Sequence, residues 1–120
     1  DVGKSFGNDF DRAAFKQGMR LKMRTFYTRY SAPLYYLLPG NFGLSPNPTN
    51  DAKADDTRAA MLEVFAEAEF SSYVKVVHDT ANTMRGTTFM QTDGIHYNQA
   101  GLNKLGNESA AALVANQICE

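Results

Sequence analysis

Two short apolar runs, each preceded by a helical pattern, constrain this chain more than any other feature. The first, "APLYYLLPG", is enclosed by Pro33 and by Pro39-Gly40. Its five aromatic and aliphatic residues are too few for a helix and suit a buried strand, which predicts a strand over Leu34 to Leu38. The second, "YVKVVHDT", places the β-branched Val74, Val76 and Val77 together before polar residues and predicts a second strand.

Helical periodicity separates the two runs. From Asp9 to Tyr30, Phe15, Met19, Met23, Phe26 and Tyr30 recur every three or four positions, and arginines and lysines occupy the opposite face. Asp9 or Asp11 is suited to cap the start of this helix. "GNFGLSPNPTNDAKADD" is rich in Gly, Pro, Asn and Asp and is expected to be a long loop. A second helix is expected from about Asp56 to Phe70, capped by Asp56 or Thr57 and apolar at Met61, Leu62, Phe65 and Ala66. "ANTMRGTTFMQTDG" has no clear period and is expected to be another loop. Asn98 then caps a last helix carrying Leu102, Leu105, Leu113 and Ile118, in which Gly101 and Gly106 would allow close packing on a sheet.

The order helix, strand, helix, strand, helix, with both strands apolar enough for burial on two faces, implies parallel strands joined by right-handed crossovers. The expected class is α/β, a three-layer α/β/α sandwich with a parallel sheet. Two parallel strands do not make a stable sheet alone, so residues 1–120 are expected to form about half of a single domain.

Composition removes several functions. A formal net charge of -1 leaves no electrostatic footprint for nucleic acid or an anionic membrane. No run is long and apolar enough to span a bilayer, and "DVGKSFGNDF" lacks the layout of a signal peptide, so a soluble chain is expected. The single cysteine, Cys119, rules out a disulfide within the chain and a zinc site built from several cysteines. It is either a free thiol or the partner of a cysteine on another polypeptide.

The chemistry concentrates in "TDGIHYN", residues 92 to 98. In open α/β sheets, ligands gather in the loops that leave the carboxyl ends of strands, and this segment lies between the second strand and the last helix. An aspartate three residues before a histidine can hold one imidazole nitrogen, setting the tautomer and stabilising the cation, while the other nitrogen faces a nucleophile. On spacing alone, Asp93 and His96 are compatible with a structural or capping role, with catalysis or with metal binding. Gly94 between them indicates a tight turn.

"TDGIHYNQAGLNKLG" resembles the last block of the SGNH (GDSL-like) hydrolases, and especially of the carbohydrate acetylesterases, including sialate O-acetylesterases. The resemblance implies that His96 is the base and Asp93 its partner, with Asn98 and Gly101 serving the helix start and its packing. "FGNDF" is similar to the family's "G-x-N-D" block, which implies that Asn8 donates a hydrogen bond into the oxyanion hole. It departs from that block in having Phe6 two positions before Asn8, with Gly7 at the variable position. The competing reading is that Asn8 and Asp9 only begin a helix.

The resemblance covers the C-terminal half or more of such a domain. Ser5, in "VGKSFG", stands in neither a "G-D-S" context nor behind a strand, so it is not expected to be the nucleophile. A base without a nucleophile does not perform acyl transfer. Three arrangements accommodate this: two associated chains produced by cleavage, a fragment of the enzyme, or a domain that only binds. Two associated chains are the expectation, because a half-sheet needs a partner, and Cys119 would then be able to bond to the other piece in a secreted or periplasmic protein.

The expected function is a serine esterase removing O-acetyl groups from a carbohydrate, with catalytic His96, Asp93 and Asn8, an N-terminal companion chain, and no cofactor or metal. The alternative is a noncatalytic carbohydrate-binding or structural module. His78-Asp79 at a strand end, and Tyr97 with the loop "GNFGLSPNPTN", are secondary candidates for lining a sugar site.

Overall fold

The computed structural model describes residues 11–38, 48–79, 84, 88–116 and 118. Among these, three helices and a two-stranded parallel sheet follow the order α1 (Arg12–Tyr30), β1 (Leu34–Leu38), α2 (Pro48–Phe65), β2 (Val74–Asp79) and α3 (Gln99–Ala115). The alternating α/β order and the parallel pairing agree with the sequence reading. Asn8, Ser5 and Cys119, each given a possible role above, lie outside the described residues.

Helix α1 starts where Asp11, of the two candidate caps, accepts a hydrogen bond from the Ala14 amide. It stops at Ser31, which adopts a left-handed conformation with φ 50° and donates its amide to the Tyr27 carbonyl, two residues before Pro33. Its apolar stripe buries Met19 and Met23. Full burial of a side chain such as Met23 is worth about 1.5–3 kcal/mol. Strand β1 occupies the expected residues. It pairs with β2 from Leu34 opposite Val74 to Leu38 opposite Asp79, with one irregularity after Tyr36 that leaves Leu37 opposite His78.

Helix α2 corrects the sequence reading at both ends. It begins at Pro48, inside the expected long loop, and ends at Phe65 rather than Phe70. A proline at a first helical position sacrifices no hydrogen bond and has its φ already set for the helix, and Asp51 in the first turn complements the helix dipole. Thr57, expected as a cap, lies within the helix, buried, with its hydroxyl donating to the Lys53 carbonyl one turn back. Phe70 is nevertheless fully buried, carried into the core by the turns between α2 and β2. The core joins Met19, Met23, Leu38, Met61, Val64, Phe65, Phe70, Tyr73 and Val74, with Tyr36 stacked obliquely on Phe65 at 4.6 Å.

The basic face of α1 has a partner. Arg12, Lys16, Arg20 and Arg24, one per helical turn, meet Asp56, Glu63, Glu67 and Glu69 of α2 and the turn after it. Arg20 grips Glu67 through Nε and Nη2 at 2.6–3.1 Å, and Arg24 holds Glu69 in the same way. Hydrogen bonds from Lys16, Arg20 and Arg24 hold the Glu63, Glu67 and Glu69 carboxyls below the usual range. Such exposed pairs stabilise little individually. Their regular spacing instead fixes the register of α1 along α2.

A second correction concerns the strands, which are not buried on both faces. Leu34, Tyr36 and Leu38 turn toward the core, whereas Tyr35, Leu37 and Val76 are exposed. Helix α3 packs on β2, where Glu108 approaches His78 at 3.3 Å, without hydrogen-bond alignment at His78 Nε2. Leu102, expected on its buried face, is exposed, and Ile118 follows the helix rather than belonging to it. Gly101 packs closely, but against the loop at Phe89 rather than the sheet, and Gly106 has no neighbour at the position of a Cβ.

Candidate active site

The segment between β2 and α3 closes into a small hairpin that presents Asp93 and His96. Met90 and Tyr97 form an isolated antiparallel bridge, and the Gln91 amide donates to the His96 carbonyl at 2.8 Å. The Gly94 amide donates to the Gln91 carbonyl at 3.0 Å, with Gly94 at φ 65°, in the left-handed region that favours glycine. Inside this turn, Asp93 Oδ1 accepts from the amides of Ile95 and His96 at 2.9 and 3.1 Å. Its other oxygen, Oδ2, lies 2.7 Å from His96 Nδ1. One carboxylate thus shapes the backbone turn and grips the imidazole that the turn carries.

The electrostatics follow from these three bonds. The His96 ring bond, and then the Ile95 and His96 amides, lower the Asp93 carboxyl to about 2. An ionised Asp93 is only an acceptor, so Nδ1 must carry a proton and the lone pair of neutral His96 lies on Nε2. The ring is 71% exposed and, among the described residues, Nε2 has no hydrogen-bond partner. Such an arrangement, with the tautomer set and Nε2 open, is chemically able to accept a proton as a general base does.

Because the folded Asp93 is more acidic than a free carboxyl, its contribution to the turn is complete above about pH 4 and is lost as pH falls toward about 2. In an NMR titration the Asp93 carboxyl should have its midpoint near 2, and the Ile95 and His96 amides should move with it. A midpoint at the ordinary aspartate value would mean that these bonds do not persist in solution. Any acid limb of activity at higher pH belongs to a group other than Asp93.

Asn98 anchors the hairpin to α3. Its Oδ1 accepts from the Gly101 amide at 2.9 Å, which caps the helix as expected. Its Nδ2 donates to the carbonyls of Thr88 and Met90 at 2.9 and 3.2 Å, and its own amide donates to the Phe89 carbonyl at 3.0 Å. Gln91 adds a side-chain bond to the Tyr97 carbonyl at 3.2 Å, and Lys104 of α3 lies over the Phe89 ring at 5.7 Å. Thr88, Phe89, Met90 and Gln91 were not singled out in the sequence; they act mainly through backbone groups, so residue type carries little signal. "TDG" marks the turn but not which strand residues close it.

Gly101 allows this approach. A Cβ there would lie 2.3 Å from the Phe89 carbonyl oxygen and 3.1 Å from Tyr97 Cβ, so backbone would have to move. Alanine is better than glycine in a helix by about 1 kcal/mol, but the clash should dominate at this position. Gly101→Ala is expected to lower stability by about 1–3 kcal/mol in thermal or denaturant unfolding. Gly106→Ala in the same helix, where the space is open, should instead be neutral or stabilising. Equal effects in the two variants would argue against the close contact at Phe89.

Of the other candidates, His78 and Asp79 are not brought to the hairpin, Tyr97 is part of it, and residues 40–47 of the loop "GNFGLSPNPTN" lie outside the described residues. Arg58 of α2 binds Asp79 through both oxygens, which ties α2 to the end of β2. His78 is largely buried beside Glu108, whose other oxygen pairs with Lys104. Tyr97, a half-buried neighbour of the base, belongs to the bridge that closes the hairpin. A shallow, open depression at the start of α2, lined by Pro48, Thr49, Ala52, Lys53 and Asp56, includes neither Asp93 nor His96. Among the described residues no group of three or more His, Cys, Asp or Glu is placed to hold a metal ion. Comparison with protein-family models, curated proteins and solved structures found no match to this chain.

Proposed function

We propose that this chain supplies the acid–base half of a serine esterase of SGNH type, which removes O-acetyl groups from a carbohydrate. The observation that carries the proposal is the 2.7 Å bond between Asp93 Oδ2 and His96 Nδ1, with Nε2 facing outward. In this reading the nucleophilic serine stands on an N-terminal segment of the same domain, and the complete domain is a three-layer α/β/α sandwich. The α/β alternation and the parallel pairing of β1 with β2 support that architecture.

His96 Nε2 takes the proton from the serine hydroxyl as its oxygen attacks the acetyl carbonyl carbon. Asp93 holds the resulting imidazolium and balances its charge. Asn8 contributes a donor to the oxyanion. The imidazolium then returns the proton to the departing sugar oxygen, leaving an acetylated serine. In the second half, His96 takes a proton from water as the water attacks the acyl group, and acetate leaves with the serine oxygen reprotonated.

The rival reading, a noncatalytic carbohydrate-binding or structural module, draws on the absence of a hydroxyl or thiol bonded to Nε2 among the described residues. Acetate release from an O-acetylated sugar distinguishes the two. The complete domain should release acetate and lose that activity once a single serine is labelled by diisopropyl fluorophosphate. Binding of the sugar without acetate release would establish the module instead.

A further inference from the structure

We propose that Asn107 is an N-glycosylation site, modified on the nascent chain before α3 folds. Asn107-Glu108-Ser109 has the Asn-x-Ser/Thr order of a glycan acceptor. The other triplet of this kind, Asn47-Pro48-Thr49, is excluded by its central proline, which starts α2. So short a motif gains meaning only from its surroundings. Asn107 is exposed, and among the described residues its amide has no hydrogen-bond partner. The preceding residue, Gly106, has open space where a Cβ would stand.

The charges of α3 are engaged elsewhere. Lys104 and Glu108 pair with each other, and Glu108 approaches His78 of β2. The side of the helix that carries Asn107 is therefore uncharged, with Asn103, Ala110 and Val114 exposed beside it. Val114, 57% exposed, follows on the same side two turns later, about 10 Å along the axis. A glycan is bulky and strongly solvated, and its first sugars reach over this distance. Attached at Asn107, they would cover the apolar end of that face.

Helix geometry also sets when the sugar is added. Residues two apart in a helix do not share a face. In α3 this puts Asn107 in water, whereas Ser109 is 9% exposed, with its Oγ buried and unpartnered among the described residues. A transferase has to hold the serine hydroxyl and the asparagine amide together, which the folded helix prevents. The triplet is readable only while this stretch is extended, and folding then leaves the sugar outside and the hydroxyl inside. The donor is an oligosaccharide linked to a lipid diphosphate. Asn107 Nδ2 bonds to its anomeric carbon, the bond from that carbon to the diphosphate oxygen breaks, the lipid diphosphate leaves with the electron pair, and the amide gives up one proton. Neither Asp93 nor His96 takes part, so the site is independent of the esterase reading.

The protein is tested as purified from its own cells. Peptide N-glycosidase F in water labelled with heavy oxygen converts a glycosylated asparagine to a labelled aspartate. Mass spectrometry should find that label at position 107, and the intact chain should lose mass on digestion. Asn107→Gln and Ser109→Ala should abolish the loss of mass, and Ser109→Thr should retain it. The label is read on the wild-type peptide, so a variant that fails to fold does not affect the result. For the order of events, a detergent-solubilised transferase with its lipid-linked donor should modify a peptide of residues 103–113 at least tenfold faster than the folded, unglycosylated protein. An unmodified Asn107 in the protein from its own cells overturns the proposal, and so does transfer to the folded protein as fast as to the peptide.

Discussion

On the esterase reading, His96→Ala is expected to lower kcat for p-nitrophenyl acetate hydrolysis by about 10³-fold or more, with melting temperature nearly unchanged. Removing the base of a serine–histidine–aspartate set costs several orders of magnitude, because serine at neutral pH is a poor nucleophile until its proton has somewhere to go. The unchanged stability follows from exposure. The ring is 71% exposed, and its one side-chain bond is to Asp93, whose other oxygen still accepts from the Ile95 amide and the amide of residue 96. Activity and folding should therefore separate in this variant. An unaltered rate would remove His96 from the mechanism.

Asp93→Asn is the second large effect, a loss of about 10³–10⁴-fold in kcat. Asparagine retains an oxygen able to accept from the Ile95 and His96 amides, so the turn should persist. It brings no charge to balance the imidazolium, and its amide nitrogen, turned toward Nδ1, would favour the tautomer with the proton on Nε2. Asp93→Ala removes both functions and should also release the turn, which exchange of the Ile95 and His96 amides would reveal. If Asp93→Asn kept most of the activity while Asp93→Ala lost it, Asp93 would be a turn residue and not the partner of the base.

The sequence was most informative where a side chain acts on its own neighbourhood. Leu34 to Leu38 was legible as a strand because prolines bound a short apolar run. Asp11 and Asn98 were legible as caps because each accepts from an amide three residues on. Asp93 and His96 belong to the same class, since they stand three residues apart and one glycine turn brings them within reach. The start of α2 was misread for the converse reason. Pro48, Asn50 and Asp51 favour a turn and a helical first turn alike, and the choice depended on what Ala54, Thr57 and Ala60 bury further along.

The sequence by itself determined the alternation of helices and strands, the caps, and the local pairing of an acid with a base, because each depends on torsional preference and contacts within a turn of chain. Only the tertiary structure decided that the basic stripe of α1 meets carboxylates 44 to 51 residues away, and that Arg58 closes on Asp79. It also decided that Gly101 faces a loop carbonyl and that one face of β1 remains open. Those contacts join segments far apart in the chain, and their partners are selected by how the helices pack on the sheet rather than by any local pattern.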